Sequence, residues 1–186
     1  MLRKKPSLIV FDKIMPFSNW LKENRPSMIS KNDVAWISVS GTVNDLPTPN
    51  LDLISKNYIN CNTSKKNILK QIDELALASN LLTGKWLIFV PTMRIDSIWS
   101  GIATDVHEGS LGVSCKVSPN EGTGNSHVIC VYTTNYQDLN DVMNARNVLR
   151  TKHGIESVLT YKPDIYTTLG IYKGNSLGLE PSLYRL

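Results

Sequence analysis

Two stretches of alternating side chains joined by a short turn constrain the fold more than any other feature. Residues 111–117 carry apolar side chains at every odd position, whereas the even positions are glycine, serine and lysine. A turn rich in glycine and asparagine at 119–125 leads to a second β-rich stretch at 127–133. Two such stretches predict an antiparallel hairpin, and the alternation predicts a sheet with one face open to solvent.

Three other stretches show the apolar periodicity of helices. The first follows a cap at Thr63 or Ser64 and ends at Gly84, and the second carries a continuous apolar stripe over 95–106. The third begins with a cap at Asn135, places Leu139 inward and ends before Gly154. Further short strands are predicted at 34–40, 85–90, 157–161 and 166–172, with 85–90 apolar on both faces like a central strand.

This order of elements predicts an α+β fold, in which a curved, mainly antiparallel β-sheet is backed by three α-helices on one face. The length of 186 residues, 41% of them hydrophobic, suits one domain, which we assign to residues 32–186. Residues 1–31 are interpreted as a basic, partly ordered lead-in with seven basic and two acidic side chains. Such an arm attracts phosphate backbones, but it equally keeps a terminus soluble. The long connection at 41–62 is of a kind that is often functional or mobile.

Composition and motifs exclude several classes. No apolar run approaches the roughly 20 residues of a membrane span, and the apolar stretch after the basic start is too short for a signal peptide. We therefore expect an intracellular protein of the nucleus or cytoplasm, not a secreted or membrane protein. Three widely spaced cysteines favour free thiols over disulfides or a zinc site. Because catalytic motifs are missing, we expect no enzyme activity, cofactor or metal.

Four stretches taken in order resemble the translation initiation factor 4E family. They are GKWLI at 84–88, IDSIW at 95–99, LGVSCKV at 111–117 and ICVYTT at 129–134. A closer resemblance is to a small family of poorly characterised eukaryotic proteins expected to share that fold. It is carried by YKPDIYTTLGIY at 161–172 and GLEPSLY at 178–184.

The resemblance implies the fold and points to binding of a capped RNA. Cap recognition needs two aromatic rings around the cationic 7-methylguanine, a carboxylate for the base edge and basic groups for the phosphates. The family's stacking tryptophans have no counterpart here, because 64–83 contains no aromatic residue and 41–62 contains only Tyr58. Lys116 does match the family's basic strand position, where it could meet a phosphate, and it could equally be a solvated lysine on an exposed sheet face.

The candidate site is therefore a hypothesis drawn from scattered residues. Lys116 and Arg94 are the candidate RNA phosphate ligands, and the possible stacking aromatics are Trp20, Trp36, Tyr58 and Tyr132. Trp36 could instead serve a core or an interface, and Trp20 could simply dock the N-terminal arm.

Two functional hypotheses follow, and a third is weaker. The first is an RNA-binding subunit of a ribonucleoprotein, acting at a cap or another 5′ end. The alternative is a protein-interaction adaptor that kept the fold, lost cap binding and contacts other subunits through its helical face. An enzyme acting on nucleotides or RNA ends is the third, and no motif supports it.

Overall fold

The alternating stretches of the sequence pair into one sheet in the computed structural model, which describes residues 7–42, 46–122 and 126–186. Its strands are β1 (Ser7–Val10), β2 (Val34–Ser40), β3 (Gly84–Pro91), β4 (Ser114–Val117), β5 (Ser126–Thr133), β6 (Thr160–Pro163) and β7 (Tyr184–Arg185). The helices are α1 (Phe17–Glu23), α2 (Leu51–Lys56), α3 (Lys65–Ala78), α4 (Thr92–His107), α5 (Leu139–Thr151) and α6 (Asp164–Thr168).

The seven strands lie in the order β1-β2-β4-β5-β3-β6-β7 in a curved sheet. The predicted hairpin is present, with β4 and β5 antiparallel and Lys116 opposite Cys130. β3 lies in the interior of the sheet between β5 and β6 and is antiparallel to both. β1 is the exception, because it adds to the edge of β2 in parallel.

The three longer helices share one core with one face of the sheet. Alternation turns Ile37, Trp86, Val117 and Ile129 toward this core, where each is fully buried. The Trp86 indole also donates a hydrogen bond of 2.9 Å to the Val142 carbonyl, which ties β3 to α5. The core residues of the longer helices are Ile68, Ile72, Leu75 and Ala76 of α3, Ile95, Trp99, Ile102, Ala103 and Val106 of α4, and Val142, Ala145 and Leu149 of α5. The predicted α+β class is confirmed.

Local caps explain where two helices begin. The Ser64 hydroxyl accepts a hydrogen bond of 3.3 Å from the Asn67 amide, so Ser64 caps α3 as the sequence predicted. The predicted cap of α5 at Asn135 is wrong, because Asp138 caps that helix by accepting from the Asn140 amide at 2.9 Å. Leu139 is the first residue of the helix, and its side chain is exposed rather than inward as predicted.

The strand predicted at 166–172 is also wrong. After Pro163 the chain forms α6, and the helix buries Ile165 and Tyr166 in the core. The aromatic and β-branched residues suggested a strand, but tertiary packing decided otherwise. The chain then leaves the helix through Gly170, at a φ of 69°, and returns as β7 to pair with β6.

Two predicted segments are more structured than a loop. Of the connection at 41–62, residues 43–45 lie outside the described residues, and the remainder contains α2. Of the basic lead-in at 1–31, residues 1–6 lie outside the described residues, as do 123–125 of the hairpin turn. Residues 7–31 contribute β1 to the sheet and α1 to the layer that covers α4.

Candidate nucleic-acid interface

The strands are covered by helices on one face, and the opposite, open face gathers three of the predicted site residues. Trp36 of β2, Lys116 of β4 and Tyr132 of β5 all point to this face. The Lys116 ammonium nitrogen lies 4.3 Å from the centroid of the Trp36 ring and 5.6 Å from that of Tyr132. Both distances fall within the range of cation–π attraction, so the lysine is held between two aromatic rings.

Two further lysines continue this row across the sheet. Lys85 of β3 lies 5.5 Å from the Tyr132 ring and forms an ion pair with Asp164. Lys162 of β6 is opposite Lys85 in the ladder and donates a hydrogen bond of 2.8 Å to the Ile171 carbonyl. Its ammonium lies 3.7 Å from the Tyr172 ring. Aromatic rings and lysines therefore alternate over the four strands β2, β4, β5 and β3, and Lys162 continues the row on β6 beside Lys85.

The electrostatics of the row favour an anionic partner. Burial lowers the pKa of Lys116, and the charge of Lys85 lowers it further. The pKa of Lys162 is lowered for the same two reasons. Lys85 is neutralised by Asp164, whereas no carboxylate of the described residues lies within ion-pair distance of Lys116. A partly desolvated cation without a carboxylate partner gains interaction energy when a phosphate approaches.

A groove of about 460 Å³ lies next to this row. Its walls include Trp36 and Phe89, and its floor includes Ser118 and Val128. Lys31 lies at the rim, where its ammonium is 3.3 Å from the Glu121 carboxylate. The groove thus offers two aromatic rings and small polar groups beside a cationic row.

The other predicted site residues lie elsewhere. Trp20 is only 4% exposed and packs against Phe11 and Phe17, so it is not available for stacking. Tyr58 is 78% exposed and lies between α2 and α3 rather than on the sheet. Arg94 is exposed in the first turn of α4, where it lines a cleft of about 160 Å³ together with Phe89.

Sequence reasoning missed Phe89, Lys85 and Lys162. Residues 85–90 were interpreted as apolar on both faces, but Phe89 is 62% exposed because helices cover one face alone. Lys85, Leu87 and Phe89 alternate along β3 with Trp86, Ile88 and Val90, and this alternation was the signal that could have found Phe89. Lys85 and Lys162 are themselves buried. In the described residues, no group of three or more histidine, cysteine or acidic side chains is placed to hold a metal ion. No helix of those residues is both long and apolar enough to cross a membrane.

Fold and face together define an α+β protein whose open sheet surface alternates lysines with aromatic rings. The chain belongs to the family described as Basophilic leukemia-expressed protein Bles03, which it matches over residues 53–170. It is a small family, as the sequence resemblance predicted.

Solved structures of initiation factor eIF4E are also similar to this chain. One is schistosome eIF4E complexed with m7GpppA and 4E-BP, at 13% identity and a TM-score of 0.45, over 57% of this chain and 60% of that chain. Another is Ascaris suum eIF4E-3 with an m2,2,7G cap, at 13% identity and a TM-score of 0.40, over 57% of this chain and 59% of that chain. The match therefore spans about three fifths of each eIF4E chain.

Proposed function

We propose that this protein binds RNA on the open face of its sheet, with Lys116 as the central phosphate ligand. The observation that carries the proposal is the position of the Lys116 ammonium between the rings of Trp36 and Tyr132. A phosphate can approach this cation, because it has no carboxylate partner within the described residues.

The chemistry of single-stranded RNA fits this surface. Every base has a π face that stacks on an aromatic side chain, and every phosphate attracts a lysine. An open antiparallel sheet that exposes aromatic rings is a recurrent platform for unstacked bases. Lys85 and Lys162 are buried, and Asp164 and the Ile171 carbonyl already engage them, so Lys116 is the lysine of this row that a phosphate can approach.

The same geometry bears on whether a methylated cap is the ligand. A 7-methylguanine carries a positive charge, and its sandwich depends on cation–π attraction. At Trp36 and Tyr132 that attraction is already directed at the Lys116 ammonium, which would repel a second cation. We therefore expect the phosphates of a 5′ end, rather than its methyl group, to supply most of the affinity.

A fluorescence titration tests the proposal. All four tryptophans lie in the described residues, and Trp36 is the one that is not buried, so quenching reports on the open face. The protein is titrated with a short uncapped RNA, with GTP and with 7-methyl-GTP at two salt concentrations. RNA binding that weakens with salt supports the proposal, whereas selective binding of the methylated nucleotide would make the protein a cap binder. No response to any ligand would contradict both and favour the adaptor hypothesis.

Replacing Lys116 with Glu should weaken RNA binding by about tenfold or more, because a charge-assisted contact is lost and a repulsive charge is gained. A plot of log affinity against log salt concentration should also become shallower. The decrease in slope should be roughly what one phosphate contact contributes. The matched control is Lys70→Glu on α3, where Lys70 is exposed and lies in the helix layer. Equal affinities of Lys116→Glu and wild type would exclude Lys116 as a phosphate ligand.

A further inference from the structure

Phe89 is an exposed aromatic side chain in the interior of a sheet. Its strand, β3, has neighbours on both sides, and the other face of that strand buries Trp86, Ile88 and Val90. Phe89 nevertheless remains 62% exposed on the open face. A single exposed apolar side chain is ordinary, but Phe89 lines one groove together with Trp36, and two aromatic rings that share a groove are typical of a binding surface.

Phe89 and Trp36 lie at the two ends of a second line of side chains, which runs across four strands beside the lysine row. Phe89 is opposite Val128 in the β3–β5 ladder. Val128 in turn lies beside Ser118, whose amide donates a hydrogen bond of 3.0 Å to the Val128 carbonyl. The β2–β4 register, with Ile37 opposite Val117, places Trp36 beside Ser118 at the other end.

The spacing along this second line of side chains decides how bases can stack on it. Three strand-to-strand steps separate the backbones of Trp36 and Phe89 by roughly 14 Å. A base clamped between two rings needs about 3.4 Å on either side, or roughly half that distance. The two rings are therefore too far apart to sandwich one base. They are suited to one base each, above the small floor formed by Ser118 and Val128.

We propose that this groove binds two bases of a single-stranded RNA, one on Trp36 and one on Phe89. This inference rests on the proposed RNA-binding function and specifies its ligand. The ligand is a strand of several nucleotides rather than an isolated nucleotide. It is also not a duplex, because paired bases are stacked on each other and present only their edges.

The charges around the groove match such a strand. Lys116 lies 4.3 Å from the Trp36 ring, so a base resting there brings its phosphate close to the ammonium. Lys31 lies at the rim of the groove, where Glu121 partly neutralises it. Beyond Phe89, Arg94 lines the adjoining cleft and can meet the phosphate of the second base. Cationic groups therefore lie near both rings, as a strand crossing the sheet from β2 to β3 requires.

Phe89→Ala tests the inference in the full chain. Stacking on one aromatic ring contributes enough that its loss should lower affinity for an eight-nucleotide oligouridylate by about 5- to 150-fold. For the wild type, affinity should rise steeply from one uridylate nucleotide to about four and then level. In Phe89→Ala the affinity should rise less with oligonucleotide length, because the second base has no aromatic ring on which to stack. Leu77→Ala removes a similarly exposed apolar side chain on α3, in the helix layer, and should leave affinity unchanged.

The possible failures are distinguishable. Because most of the Phe89 ring is exposed, its removal should lower the free energy of unfolding by about 1 kcal/mol or less, mainly through the weaker strand preference of alanine, and the urea midpoint is measured beside each titration. If Phe89→Ala binds the oligonucleotide like the wild type while Lys116→Glu does not, the two-base groove is wrong and RNA binding stands. Binding of a blunt RNA duplex as tightly as the single strand would likewise overturn the groove. If the wild type binds no RNA, the proposed function itself fails.

Discussion

Gly112 shows how one residue positions the site. It lies just before β4, adopts a φ of 58°, and a Cβ built there would lie 2.4 Å from the Tyr132 carbonyl oxygen. The next amide, that of Val113, donates a hydrogen bond of 2.9 Å to the same carbonyl. This close approach sets the β4–β5 pairing that places Lys116 near the Tyr132 ring.

Replacing Gly112 with Ala should destabilise the fold by several kcal/mol, because backbone strain and a clash with rigid backbone add together. Gly154 is the matched control, since its φ of 59° is almost the same and nothing lies within 4 Å of its Cβ position. Gly154→Ala should cost only about 1 kcal/mol of left-handed strain. Urea unfolding of both variants measures the difference. Equal losses in the free energy of unfolding would show that the nearby Tyr132 carbonyl does not restrict the side chain at position 112.

Single residues could be predicted from the sequence where alternation alone decides direction. Lys116, Trp36 and Tyr132 were all named as candidates, and the open face brings them together. Trp20 could not be assigned in this way, because its burial depends on α1 packing against Phe11 and His107. Composition around a tryptophan does not indicate whether another element covers its ring.

At the scale of elements, a buried carboxylate connects the ends of α4 and α5. Asp105 is 3% exposed, and it accepts hydrogen bonds from Lys152 at 2.5 Å and from His153 at 2.8 Å. Burial alone would raise the pKa of Asp105, but these hydrogen bonds and charges outweigh it, so that the pKa is lowered. A lowered carboxyl pKa stabilises the fold above the unfolded value of 3.8, and this stabilisation is lost as pH falls through the folded value.

Asp105→Asn should therefore destabilise the protein by about 2 kcal/mol at neutral pH, less than for a fully buried pair because Lys152 is 58% exposed. The difference from wild type should begin to shrink as pH falls below about 4, where the carboxyl of the unfolded chain binds a proton, and should go on shrinking through the lower pKa of the folded protein. Urea unfolding at about pH 7 and about pH 3 measures both quantities. Glu74→Gln breaks the exposed Lys70–Glu74 pair and should cost less than 0.5 kcal/mol. A difference for Asp105→Asn that is constant with pH would exclude this carboxylate as the titrating group.

Elements with strong local signals were predicted well, and those decided by packing were not. β2 was predicted with its observed bounds. In the apolar stripe of α4, Ile95, Trp99, Ile102 and Val106 are buried and Ile98 is partly buried. By contrast, residues 166–168 of α6 were predicted as part of a strand, because Tyr166 and the two threonines favour strands and no local feature outweighs them. Burial of Ile165 and Tyr166 in the core supplies the energy that holds these five residues in a helix.

Across the whole molecule, the two faces of the sheet give its cysteines different environments. Cys115 points into the helix-covered core, and burial raises its pKa well above the usual value. Cys130 lies on the open face opposite Lys116, where burial beneath the neighbouring side chains raises its pKa to about 11. Cys61 is exposed.

Iodoacetamide should therefore modify one thiol, that of Cys61, in the folded protein and all three thiols in urea. Mass spectrometry of tryptic peptides identifies the modified residue. Labelling of Cys115 should follow global unfolding, because this thiol is enclosed by the core. Rapid labelling of Cys130 in the folded state would show that the lysine row does not cover it and would revise the description of the open face.

Periodicities local to the chain were enough to predict the class of the fold and the direction of the side chains at 111–117. Lys116, Trp36 and Tyr132 were also named from the sequence as candidates for one site. That these residues meet, and that Phe89 lies across the groove from Trp36, is seen only in the folded protein. Strand order is the physical reason: neighbours in the sheet are distant in sequence, and long-range pairing, not local propensity, sets which side chains share a surface.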